Sequence, residues 1–412
     1  MKIKCKAVFP SIKIERATFL PFAIYAALLV AELFAGKLTF LRYADEITTI
    51  FFIAYILLRI IKNSVAKEYF SMLWRILALF ILGLAANLIY SIQTNTIVIL
   101  FDVISVFKLF ICFCGFQMLF STNGADKILR KFYSPAKIFL VVSSICGIIS
   151  LFVDIGMRGG GRYGLWTFRL IYPQAHLFAM MVLVAIMIVK ESSRTEKNFV
   201  FYLILSIMLM LLNLKGPSII WAAIVVALLL YMRKRKKMSL AFFAVLGVVT
   251  ALLGGYQIQN YILRSDVPRS VFYQFGWRTA NAFFPLGAGF ATFGSDMAAK
   301  HYSPLYVQYG FPNRYGMSPT MPYFLLDTYW PMIWGQFGWF GFILFASLFV
   351  SIFIAIQKSS MNGSNKALLI SVFFYSMLHA LGSSSLNTSA AIILYMTIGL
   401  ILKKYSCADS AH

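Results

Sequence analysis

Apolar runs of about 17–25 residues recur from one end of this chain to the other, each long enough to cross ~30 Å of hydrocarbon. Water is absent there, so every backbone amide must bond within its own segment, and such runs are helices. With 60% hydrophobic and 12% charged residues and a mean hydropathy of +0.80, the composition is far from the roughly 25% charged residues of a soluble domain. The expectation is an all-α, polytopic membrane protein of about 12 transmembrane helices, forming a single integral membrane domain over 1–412. The predicted spans are 17–35, 45–61, 70–90, 96–120, 135–154, 170–190, 198–214, 216–232, 239–257, a broken run at 324–356, 366–384 and 386–402.

Charge predicts orientation. The chain has 37 Lys and Arg against 14 Asp and Glu, a net charge of +23. In a soluble protein this surplus would point to nucleic acid; between apolar runs it marks cytoplasmic loops. Cations crowd the N-terminus, the Lys62/Lys67 loop, Lys127–Arg130–Lys131, Lys190–Arg194–Lys197, RKRKK (233–237), Lys358/Lys366 and Lys403–Lys404. The alternate loops are GKLTFLRYADE (36–46), SIQTNT (91–96), the turn at Lys215 and GSSSLNTS (382–389). Both termini are therefore expected in the cytoplasm, and RKRKK reads as a topology signal with no nucleic-acid partner. The basic start has no small-residue cleavage site, so an uncleaved first helix is expected. Cys5, Cys112, Cys114, Cys146 and Cys407 have neither a disulfide-framework nor a zinc spacing.

Two segments on the predicted exterior break the sign rule. One is DIGMRGGGRYGLWTFR (154–169), with Arg158, Arg162 and Arg169; the other is the long extracytoplasmic loop 258–323, with Arg264, Arg269, Arg278, Lys300 and Arg314. Guanidinium groups hydrogen-bond phosphate bidentately and stay charged, so two such clusters converging would hold an anion. The plainer alternatives are lipid head groups, or pairing with Asp154, Asp266 and Asp296. Gly159–Gly161 is either backbone that a phosphate can approach or a flexible loop. In FFPLGAGFATFGS (283–295), Gly287, Gly289 and Gly294 permit a tight re-entrant turn packed on the helices.

Asp327, at the edge of a span in YFLLDTYWPMIW, is a functional candidate. It is either a base, if burial raises its pKa, or the partner that orients an arginine. His301 is the other external candidate base. Lys215 sits between two spans on the arginine side, and Asp102, about two turns inside the fourth span, is a candidate to neutralise one of these cations. Lys108 and Arg75 are read as snorkelling or paired, and His176 as a packing or pocket residue. Tyr302, Tyr329, Trp330 and their aromatic neighbours suit either sugar rings or the membrane interface. Paired D-x-D carboxylates, a His/Cys cluster and a Walker motif are all missing from the sequence. No metal and no cofactor are therefore expected, and phosphate chemistry would fall to Arg and Lys.

These residues give the chain its resemblance to the O-antigen and capsule repeat-unit polymerases (the Wzy type) and, more distantly, to the O-antigen ligases. Those families have about twelve spans, cytoplasmic termini and two functional external loops, which 154–169 and 258–323 match in position. Their late loop carries a Gly-x-Gly-x-x-x-Phe turn, here Gly287–Ala–Gly289–Phe–Ala–Thr–Phe293. A polar position, here Asp327, then precedes a Gly-aromatic-x-Gly start to the next span, here Gly338–Trp–Phe–Gly341. Arg278 and Gly289 fit an Arg-to-Gly spacing of some polymerases. The chain departs from the ligases in lacking a His-Asn near Asp327, and it has Lys215 where members often have Arg.

The resemblance implies a glycosyltransferase C-like fold and a polymerase of polyprenyl-pyrophosphate-linked oligosaccharide repeats at the outer face of the cytoplasmic membrane. It implies pyrophosphate binding by Arg158, Arg162, Arg169, Lys215 and Arg314. Arg278 with Asp327 or His301 would carry catalysis, and Tyr302, Tyr329 and Trp330 would hold glycan. Its partners would be the lipid-linked oligosaccharide and membrane lipids, alongside a chain-length regulator and a flippase. The rival readings are a lipid-linked oligosaccharide flippase, an O-antigen ligase, and a polyprenol-phosphate-sugar glycosyltransferase, for which Asp45–Glu46 lie in the first external loop.

Overall fold

The computed structural model describes residues 16–193, 195–234 and 267–406. Its helices are α1 (Arg16–Phe34), α2 (Ala44–Ile61), α3 (Lys67–Tyr90), α4 (Thr96–Gln117), α5 (Thr122–Phe152), α6 (Ala175–Ser192), α7 (Glu196–Leu212) and α8 (Gly216–Lys234). There follow α9 (Pro268–Ala282), the short α10 (Asp296–Lys300) and α11 (Pro304–Gln308), and then α12 (Trp330–Lys358), α13 (Gly363–Ala380) and α14 (Ser389–Lys404). Five of these, α3, α4, α5, α6 and α12, are long and apolar enough to cross a membrane, and α1 and α8 contain shorter apolar stretches. The protein is an all-α membrane protein over the described residues. The predicted span 239–257 and the start of the long loop, with Arg264, lie outside them.

Two boundaries differ from expectation. The cluster Lys127–Arg130–Lys131 is not a loop but the opening of α5, which starts 13 residues before the apolar run. Ser121 caps it by accepting the Gly124 N–H, and Asp126 pairs with Arg130 at 2.6 Å one turn on, local bonds that let a polar segment be helical. The triple glycine is not a flexible loop either. Arg158–Arg162 (β1) pairs antiparallel with Leu165–Phe168 (β2). The connection Tyr163–Gly164 has φ of 52° and 76°, the two positive angles that a tight two-residue hairpin needs to follow the strand twist.

The helices alternate in direction. Arg75 near the start of α3 bonds Ser347 and Ser351 late in α12. Lys404, at the end of α14, pairs with Glu191 at the end of α6 and Asp126 at the start of α5. The hairpin, the α7–α8 turn and Asp327 therefore gather at the opposite end of the bundle.

At that end α12 breaks at Gly338, with φ 63° and ψ −171°. In an unbroken helix Gly335 and Gln336 carbonyls would accept from residues 339 and 340. Here they accept from the Ala288 and Gly289 amides, each at 2.9 Å. The glycine turn is thus a re-entrant segment that satisfies backbone left open by the break, as a lipid environment demands. Side chains from two other helices lock it. Asn87 of α3 accepts from Phe290 N–H at 2.7 Å and donates to its carbonyl at 3.0 Å. Asp102 of α4 accepts from the Ala291 amide at 2.6 Å and from Gln336 at 3.0 Å. Asp102, a candidate from the sequence to neutralise one of the external cations, instead anchors this turn through its hydrogen bonds.

The segment from α9 to Leu325 builds its own small core around Phe272, Phe293, Tyr306 and Phe311. This second core caps the bundle end and fixes where α9 presents its first turn.

Candidate active site

A cavity of ≈ 710 Å³ opens between the hairpin and the α7–α8 turn. Four cationic side chains line it, Arg158, Arg162, Arg169 and Lys215, together with Thr167 and the backbone of Gly159–Gly161; its described lining includes no carboxylate. The local sequence explains why. α7 ends at Leu212, Leu214 adopts a left-handed φ of 54°, and the Lys215 carbonyl accepts the Ser218 and Ile219 amides as α8 begins. Buried Asn213 pins this turn to the hairpin and to α6, donating to the Phe168 and Ala175 carbonyls at 3.4 and 2.6 Å. Lys215 therefore stands at the positive end of a 19-residue helix, where a cation is unfavourable and an anion is favoured.

The arginines divide the work. Arg158 donates to the Ser150 and Leu151 carbonyls at the end of α5, at 2.8 and 3.2 Å. Arg169 donates to Arg158, Tyr172 and Pro173 carbonyls at 2.9–3.0 Å. Both hold the cavity wall, keeping part of each guanidinium for a ligand. The Arg162 and Lys215 side chains make no hydrogen bond among the described residues. Burial, with the Arg162 and Arg269 charges beside it, pulls the Lys215 ammonium down from 10.5 to about 8, against the opposing influence of Asp327. Below that value Lys215 is charged, and above it the cavity loses a cation. Pyrophosphate affinity is therefore expected to weaken about tenfold between pH 7 and 9.5. Lys215→Arg, which cannot lose its charge, flattens the profile; calorimetric titrations at several pH values check both.

On the far side of Lys215, Asp327 makes a charge contact with Arg269 of α9 at 3.4 Å. Burial raises the Asp327 carboxyl above its ordinary 3.8 although Arg269 and Lys215 oppose the shift. α13 ends against the same spot. Tyr273 donates to the Leu381 carbonyl at 2.8 Å, and His379 stacks beside His176 with ring centroids 5.0 Å apart. Both histidines are buried, and His379 Nδ1 has no hydrogen-bond partner among the described residues.

A second cavity, ≈ 410 Å³, shares Pro173 and Gln174 with the first. Glu32, Asp45, Glu46 and Lys108 line it, and so does Leu326, next in sequence to Asp327. Lys108 does not snorkel: its ammonium bonds Asp45 at 2.5 Å and Glu46 at 3.3 Å.

The remaining predicted site residues sit elsewhere. Arg278 lies over the Phe275 and Tyr309 rings and Arg314 over Phe275; neither lines the cationic cavity. The long-loop arginine that meets Lys215 is Arg269. His301 is exposed at the end of α10, and Tyr302 donates to the Met317 carbonyl at 2.9 Å. The glycan role expected of Tyr329 is corrected. Tyr329 is 1% exposed in the core, which closes its face to a sugar, while Trp330 is half-buried and meets Phe342 and Phe349 in T-shaped contacts. The glycine turn does not roof the cationic cavity, since none of its residues lines it.

Glu32 and His379 were missed by the sequence reading. Both are ionisable residues within apolar runs, a signal that by itself marks function.

No family model matches this chain, and no curated protein matches it.

Proposed function

We propose that this protein is a membrane-embedded glycosyltransferase that polymerises oligosaccharide repeats carried on polyprenyl pyrophosphate, without a metal ion. In this reading twelve helices cross the cytoplasmic membrane with both termini inside. The hairpin, the α7–α8 turn and the α9–α11 cap then face outward. One observation carries it: a cavity with four cations, no described carboxylate and a helix N-terminus, at the rim of an apolar bundle. That is the electrostatics of a diphosphate site. The apolar bundle beside it suits a polyprenol chain.

The chemistry follows from the placement of charge. A hydroxyl oxygen of the incoming repeat attacks the anomeric carbon of the donor glycan. The new carbon–oxygen bond forms as the bond from that carbon to the diphosphate oxygen breaks, and the electron pair leaves with the diphosphate. Arg162, Lys215 and Arg269 stabilise the charge that builds there. Asp327, next in sequence to Leu326 of the second cavity and within charge range of Lys215, accepts the hydroxyl proton and passes it to water; its raised affinity for protons suits a base. The lipid-linked oligosaccharide and membrane lipids are the partners of this scheme, with a flippase upstream and a chain-length regulator alongside.

The test is turnover of purified protein in lipid nanodiscs, supplied with the lipid-linked repeat extracted from producing cells. Arg162→Ala and Asp327→Asn are each expected to slow polymer formation by about 100-fold or more. Wild-type rates in both would remove the reading. The placement of Asp45 and Glu46 in the second cavity favours one rival, a polyprenol-phosphate-sugar transferase. That enzyme would consume a monophosphate donor, which the same assay distinguishes.

A further inference from the structure

The carboxylates of the second cavity are under-used. Glu32 and Asp45 are each 2% exposed. Glu32 accepts from the Ser389 hydroxyl through one oxygen, and Asp45 from Lys108 through one. The other Glu32 oxygen is buried without a hydrogen-bond partner among the described residues, and the Asp45 and Glu46 carboxyls beside it hydrogen-bond to each other. A buried carboxylate oxygen left without a donor costs of order 1–3 kcal/mol or more. The Glu32 oxygen, in a cavity that a bonded carboxyl pair also lines, points to a ligand that brings hydrogen-bond donors.

The lining narrows the class. A metal or sodium ion would sit against the Lys108 ammonium, which already touches Asp45 and Glu46. An amine gains little, because Lys300 pairs with Asp296 at 2.6 Å and Lys108 and Arg42 stand against the other three carboxylates. Neutral hydroxyls satisfy the carboxylates without adding charge. Asn387, Thr388 and Ser389, the last bonded to Glu32, add the mixed donors and acceptors that ring hydroxyls need. The ≈ 410 Å³ volume is that of a small-ligand pocket.

We propose that this cavity is a sugar-binding subsite, in which Glu32 and Asp45 accept hydrogen bonds from hydroxyls of a neutral glycan. Resting on the transferase reading, that glycan is the acceptor end of the incoming repeat. Pro173 and Gln174 line both this cavity and the cationic one, and Leu326, next in sequence to Asp327, lines this one.

The experiment uses the full chain in nanodiscs and saturation-transfer NMR with methyl glycosides of hexoses, 6-deoxyhexoses and N-acetylhexosamines. At least one glycoside is expected to bind. Glu32→Gln, which keeps the shape and the Ser389 contact, is expected to weaken it about tenfold, as is Asp45→Asn. Asn387→Ala, away from the carboxylates, is expected to weaken it less, and should either acid variant not fold it still reports on the cavity. Inorganic pyrophosphate is titrated in parallel and should bind Glu32→Gln as it binds wild type. Pyrophosphate binding without glycoside binding, or glycoside binding indifferent to all three variants, overturns the subsite and leaves the transferase reading standing. Thermal protection by sodium or magnesium chloride in place of glycosides overturns it in favour of a cation site. Glycoside binding sensitive to Glu32 with no pyrophosphate binding keeps the subsite and removes the transferase reading.

Discussion

Lys215→Met is expected to lower pyrophosphate affinity by about 100-fold while raising the melting temperature. The two effects have one cause. Lys215 stands at the start of α8 with Arg162 and Arg269 close by, and folding pulls its ammonium from 10.5 to about 8. Between those values the unfolded chain binds more protons, so stability rises with pH across the window; below about 8 the charged lysine costs the fold a constant amount. Methionine removes that cost and keeps most of the packing. A residue kept for stability alone would behave in the opposite way, and a site built for an anion gives this trade between binding and stability. Calorimetry with pyrophosphate and a thermal melt of the same preparation check both halves. Loss of stability with unchanged affinity would assign Lys215 to the fold.

Gly287→Ala is expected to be the most damaging added methyl group among the described glycines. Gly287 has φ 81°, and an added Cβ would press on the Gly338 amide and lie 2.5 Å from the Gln336 carbonyl oxygen. Both are backbone atoms at the break in α12, so neither can swing aside. The turn or the break must shift, releasing the bonds from Ala288 and Gly289 to the freed carbonyls and the grip of Asn87 and Asp102. A loss of about 3–5 kcal/mol follows from strain and unsatisfied buried groups together. Gly160→Ala, whose Cβ would meet nothing within 4 Å, is expected to leave stability unchanged. Melting curves of the two variants side by side decide the matter.

The sequence made some of this legible and not the rest, for physical reasons. Helices were readable because lipid leaves the backbone no alternative, and the small-aromatic alternation of 283–295 announced a buried turn. What holds that turn was not readable: Asn87, Asp102 and Gln336 come from three separate helices. The arginines of 154–169 announced a cationic site, but Arg158 and Arg162 are indistinguishable by residue type. Their division of labour depends on which carbonyls the end of α5 leaves open. Arg278 drew attention by its spacing from Gly289, whereas Arg269, one cation among several in the long loop, reaches Asp327 because α9 docks against the end of α13. The acidic cavity joins α1, α2 and α4, and only the tertiary fold brings Lys108 to Asp45.

The most direct measurement is a cryo-electron microscopy map of the protein in nanodiscs with citronellyl diphosphate, a short polyprenyl diphosphate. The account predicts density for two phosphates between Lys215, Arg162 and the first turn of α8, with the hydrocarbon running into the apolar bundle. A map with that cavity empty, and the diphosphate bound at Arg278 and Arg314 or nowhere, would contradict it.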